Sequence, residues 1–137
     1  MTYNLTTAVT NIQTMVQTIA ASIKAAPPSP PEGIHQFPFS LVYIKSFETL
    51  GGTYHWDEVI DTITIEIHLT RQNLPTAYAA ALPYRIQILE KLINDPTIGD
   101  SVDTFTDLRG TFGYMEYAGV GTLGWQMELD VKGKVTI

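Results

Sequence analysis

The chain predicts an α+β fold, with two helices packed on one face of a mainly antiparallel four-stranded sheet in the order α-β-β-α-β-β. Three observations predict it. Apolar residues recur at helical spacing over 5–23 and again over 84–93. They recur at every second position over 59–70, and again over 123–132. Turn or breaker residues separate these runs. The length of 137 residues suits a single domain, 1–137.

In the first helix Leu5, Val9, Ile12, Val16, Ile19 and Ile23 form one stripe, and Asn4 or Thr6 offers an N-cap oxygen. The remaining positions are Thr, Gln, Asn, Ser and Ala, with no charge before Lys24. The proline-rich segment at 26–33 then ends the helix and acts as a stiff spacer before the first strand. Over 40–47, Leu41, Tyr43 and Lys45 alternate with Val42 and Ile44, as in a strand covered on both faces. The following strand is the clearest. Val59, Ile63, Ile65, Ile67 and Leu69 take one side, with Asp61 the exception, while Thr62, Thr64, Glu66, His68 and Thr70 take the other. A long loop over 48–57, with Gly51-Gly52, joins these strands as an antiparallel hairpin.

An Ala-rich stretch, 77–82, meets Pro83, which is expected to break the helix or reset its start. From Tyr84 onward Ile86, Ile88, Leu89, Leu92 and Ile93 make an apolar face, and Asn94-Asp95-Pro96 ends the helix. An acidic loop with Asp95, Asp100, Asp103 and Asp107 follows. The last third reads as a second hairpin. An aromatic strand over 108–117 leads through Gly-rich residues to Leu123, Trp125, Met127, Leu129 and Val131, which alternate with polar neighbours.

Composition narrows the function classes. Net charge is −6, which argues against a basic nucleic-acid-binding surface. Cysteine is absent, which excludes disulfides, thiolate zinc sites and a cysteine nucleophile. Only 16% of residues are charged, against about 25% for a soluble domain. Eighteen threonines fill much of the difference, so the surface is polar but poorly ionised. No apolar stretch approaches the length of a membrane span, and the first residues lack the basic start of a signal peptide, so cytoplasmic synthesis and use are expected.

Catalytic and metal-binding patterns are thin. His55-Trp56-Asp57-Glu58 places an imidazole and two carboxylates in the expected hairpin loop, with His68 a strand length away, but the spacing matches no standard zinc motif. The 95–107 acids lack the order of an EF-hand loop. No phosphate-binding glycine loop and no Gly-x-Ser-x-Gly elbow occurs. No catalytic residue, metal site or cofactor is therefore assigned. The aromatics Trp56, Phe112, Tyr114, Tyr117 and Trp125 are read as core or subunit-contact residues.

The order of elements resembles that of the tail terminator (tail completion) proteins of long-tailed bacteriophages. The resemblance rests on the uncharged leading helix, the 39–47 strand with its long loop and the 58–71 strand. It continues through the 82–93 helix ending in Asp95-Pro96 and the closing strand centred on Gly124-Trp125-Gln126-Met127-Glu128-Leu129. The Pro27–Pro31 run departs from the pattern. The resemblance implies a structural virion protein of the tail's head-proximal end, assembled in the host cytoplasm. It would form a homo-oligomeric, hexameric ring that caps the tail tube protein, ends tube polymerisation and meets the head–tail connector protein. DNA would pass through the lumen without sequence-specific binding. Low charge suits a chain whose surface is buried against neighbours, and Asp57, Glu58, Asp95, Asp100, Asp103 and Asp107 are the candidate lumen acids. Two alternatives stand beside this reading: another head–tail joining or tail assembly protein, and a small metal-binding or enzymatic α+β domain.

Overall fold

A computed structural model describes residues 3–19, 39–50, 56–69, 74–117 and 120–136. The spacer at 26–33 and the end of the first helical stripe lie outside the described residues. The elements are α1 (Leu5–Ile19), β1 (Phe39–Leu50), β2 (Trp56–Leu69), α2 (Leu74–Asn94), β3 (Thr104–Tyr117) and β4 (Val120–Thr136). The four strands form one sheet in the spatial order β1-β2-β4-β3, with every neighbouring pair antiparallel. Both helices lie on one face: α1 packs on β1 and α2, and α2 on β4 and β3. This is the α+β arrangement expected from the sequence.

Helix α1 begins where Asn4 caps it, its Oδ1 accepting from the Thr7 N–H at 3.0 Å. Ala8, Ile12 and Val16 are fully buried against the sheet. On the outer side Thr10 and Thr14 return their hydroxyls to the carbonyls four residues back, both at 3.1 Å. An uncharged threonine face thus satisfies its own polar groups locally.

Ile63, Ile65, Ile67 and Leu69 of β2 and Trp125, Met127, Leu129 and Val131 of β4 form the floor of the core. Each such side chain contributes roughly 1.5–3 kcal/mol by leaving water. Asp61, the exception in the alternation, is buried and accepts a hydrogen bond from the Tyr3 hydroxyl. Gly124 sits where β2 approaches closest, since a Cβ there would lie 1.8 Å from the Ile67 carbonyl oxygen.

Four expectations need correction. Strand β1 is a sheet edge, and only Ser40, Leu41 and Val42 are buried, while 44–49 are exposed. The 40–47 segment is apolar on both sides, yet nothing in the described structure pairs with its outer edge. The strands also run further than the alternation indicates. Leu50 pairs with Glu58, so both strands reach into the 48–57 segment expected as loop, and Trp56 and Asp57 belong to β2. Likewise Asp107 is in β3, beside a bulge between Phe105 and Asp107, and not in a loop. Last, α2 runs unbroken through Pro83. Pro83 and Ala79, whose carbonyl loses its partner, are both exposed, so water can satisfy that carbonyl.

The apolar face predicted for α2 is in fact two stripes. Ala81, Tyr84, Ile88 and Leu92 are buried on the sheet, whereas Leu82, Ile86 and Ile93 point outward.

Candidate functional site

Period-2 geometry puts the even-numbered residues of β2 on the face away from the helices, and register aligns them with the even-numbered residues of β4. The outcome is a polar network across all four strands. Its inner part is buried. The Tyr43 hydroxyl donates to Glu66 Oε2, His68 Nε2 lies 2.7 Å from Glu66 Oε1, and His68 Nδ1 lies 2.6 Å from Thr122 Oγ1. Burial pushes the Glu66 carboxyl up, but hydrogen bonds from His68 and Tyr43 outweigh it and hold it below its ordinary value. Burial, reinforced by the Glu66 contact, raises the Tyr43 phenol well above its usual range.

The outer part is an ion-pair ladder. Lys45 of β1 binds Glu128 of β4. Arg109 of β3 reaches Glu128 at 2.8 Å and Asp107 and Asp130 at 2.9 Å. Thr62 of β2 donates to Asp130 at 2.7 Å. The hydrogen bond with Asp130, followed by that with Asp107, raises the Arg109 guanidinium further. Lys45 foremost, and then Arg109, hold Glu128 low. Asp130 is also low, because Arg109 and Thr62 outweigh the cost of its partial burial. Lys45 and Arg109 are committed to carboxylates, so neither offers a free charge to phosphate.

The candidate acids separate into two places. Asp95, Asp100 and Asp103 occupy the turn after α2. There Asp95 is spent on structure, accepting the Gly99 N–H at 2.8 Å and the Thr97 hydroxyl at 3.3 Å. Ile98, Gly99 and Asp100 all take positive φ, and the Ile98 carbonyl accepts from Asn11 Nδ2 at 3.0 Å, which ties the turn under α1. Asp103 donates its N–H to the Lys132 carbonyl, while Glu58 pairs with Lys134 in register. Asp103 and Glu58 therefore lie toward the same end of the sheet, on either side of β4 and beside Lys132 and Lys134. Asp107 lies apart from them, on the ladder. The Asp57 backbone pairs with Val135, and its side chain lies outside the described residues, as do those of Trp56 and Tyr117 and the whole of His55.

Among the candidate contact aromatics, Trp125 faces the core of its own chain and donates Nε1–H to the Ala81 carbonyl at 2.8 Å. Phe112 is half-buried between Tyr78 and Trp125, edge to face with both at 5.4 and 5.5 Å. Tyr114 is 68% exposed on the edge strand β3. Sequence reading missed the exposed apolar residues of the opposite edge, Ile44 and Phe47, the latter 74% exposed. It also missed the network, although Glu128 and Asp130 standing opposite Thr64 and Thr62 in phase was its available signal.

Among the described residues, no three His, Cys, Asp or Glu side chains gather as a metal site, and no helix is long and apolar enough to cross a membrane. No protein-family model matches the chain, and a search of curated proteins found no match.

Proposed function

We propose that this chain is a structural assembly protein that closes into a ring, hexameric by resemblance, at the head-proximal end of a phage tail tube. In this role it ends tube polymerisation and offers its other side to the head–tail connector. The observation that carries the reading is that both edge strands, which no strand among the described residues covers, carry large exposed apolar or aromatic side chains. Ile44 and Phe47 mark β1, and Tyr114 marks β3. The edges lie on opposite sides of the sheet, as a head-to-tail contact requires, because one patch must meet a different patch on the next subunit. Charge is the usual means of blunting such edges; here the edge-strand charges Lys45, Asp107 and Arg109 are paired on the ladder, while Ile44, Phe47 and Tyr114 stay exposed.

Two further features support a conduit. The outer face of α1 is threonine and glutamine without charge, suited to burial against a neighbour. Lys45 and Arg109 of the ladder are already paired with carboxylates, and the net charge is −6, so DNA would slide past without binding.

Native mass spectrometry and electron microscopy of the purified protein, alone and with tail tubes, test the reading. Closed rings or capped tubes are expected. A chain that stays monomeric at high concentration and leaves tube ends bare would overturn it.

A further inference from the structure

The outer stripe of α2 has a pattern that neither the core nor the sheet edges explain. Leu82, Ile86, Leu89 and Ile93 follow at intervals of four, three and four. Ile86 and Ile93 are 50% and 61% exposed, Leu82 is exposed, and Leu89 is half-buried beside a groove of about 400 Å³ between α2 and β3. This is the spacing of a coiled-coil seam, with leucine at d and isoleucine at a, the choice that favours two parallel strands. The buried stripe, Ala81, Tyr84, Ile88 and Leu92, is a different face of the same helix.

The flanking charges point to the occupant. In this heptad Arg85 is a g position and Glu90 is the following e position, five residues on. In a parallel in-register pair, g of one helix meets that e of the other. Arg85 of each copy would then face Glu90 of its mate, giving two opposite-charge pairs about the two-fold axis. An antiparallel pair over the same stretch would set Arg85 near Leu92 and Glu90 near Pro83, leaving both charges without a mate. Both side chains are exposed, so neither is held by burial in its own chain.

We propose that this stripe docks against α2 of a second copy of the chain, parallel and in register. The contact is isologous and uses the helix layer. The ring reading uses the sheet edges, so this pairing stands without it. Two heptads make a short seam, and the association is weak and concentration-dependent.

The absence of cysteine makes the test clean. Ile86→Cys and Ile93→Cys should each cross-link to themselves under mild oxidation, about tenfold faster than Thr14→Cys on the exposed face of α1, because pairing raises the local thiol concentration. Arg85→Glu or Glu90→Arg alone should raise the dimer dissociation constant roughly tenfold in sedimentation equilibrium. The double exchange, Arg85→Glu with Glu90→Arg, should restore it. Cross-linking no faster than the Thr14→Cys control, or a double exchange as weak as the singles, overturns the pairing. Circular dichroism of each variant checks folding, and Phe47→Asp, which targets the ring contact, should leave the Ile86→Cys cross-link unchanged.

Discussion

Glu66 is the residue whose environment is most demanding. It is nearly buried, and both of its oxygens are occupied, one by Tyr43 and one by His68. Glu66→Gln keeps the shape but puts an amide where one acceptor oxygen stood, leaving His68 or Tyr43 poorly matched. A loss of about 1–3 kcal/mol in urea unfolding is expected. The pH dependence follows from the depressed carboxyl. A group whose folded pKa lies below its unfolded value adds stability that is present above the unfolded value, 4.5 for this carboxyl, and is lost as pH falls through the folded one. Asp130 acts in the same sense below 3.8. Melting temperature should therefore fall as pH drops from roughly 5 toward 2, and Glu66→Gln should flatten that slope. An equal slope in the variant would assign the acid sensitivity elsewhere.

Helix α2 shows how far an element can depart from its local signals. Pro83 forbids a hydrogen bond to the Ala79 carbonyl, and the sequence alone favours a break there. The helix continues because Ala81, Tyr84, Ile88 and Leu92 all bury on the sheet, and their combined burial exceeds the local cost of one proline. Pro83→Ala should then stabilise the fold by about 1–3 kcal/mol, read as a rise in melting temperature, since the site is exposed and the missing bond becomes available. No change would mean that the surrounding backbone is already set against an α-helical residue at this point. The strands departed in the other direction. Their cores were legible from alternation, but their ends were longer, because ladder pairing extends Thr49, Leu50, Trp56 and Asp57 beyond any apolar pattern.

At the scale of the whole molecule, charge is sparse but organised. The ladder uses Lys45 and Arg109 to hold three carboxylates, while large apolar side chains, Ile44, Phe47 and Tyr114, stay exposed on the same edge strands. Phe47→Asp places a charge at the centre of the proposed subunit contact while disturbing little of the core, because Phe47 is largely in water. Under the ring reading this variant should remain folded and lose closed assemblies in native mass spectrometry, with oligomer stability reduced by about 2 kcal/mol or more per contact. Rings formed as readily as by the parent chain would move the contact away from β1. The same variant should keep the α2 pairing, so the two associations can be separated in one preparation.

Element type, element order and the inward stripes of the two central strands, β2 and β4, were determined by the sequence itself. These depend on spacings of two, three and four residues, which are local. The Asn4 cap and the alternation of 63–69 and 123–131 are examples. The tertiary structure decided what depends on long-range pairing. It set the order β1-β2-β4-β3, which makes β1 and β3 the edges and leaves Phe47 and Tyr114 in water. It chose which of two apolar stripes on α2 meets the sheet. It also brought His68, Glu66, Thr122 and Tyr43 into one buried chain of hydrogen bonds. No local spacing encodes these outcomes, because each is settled by which strand lies beside which, and by how much apolar surface that choice removes from water.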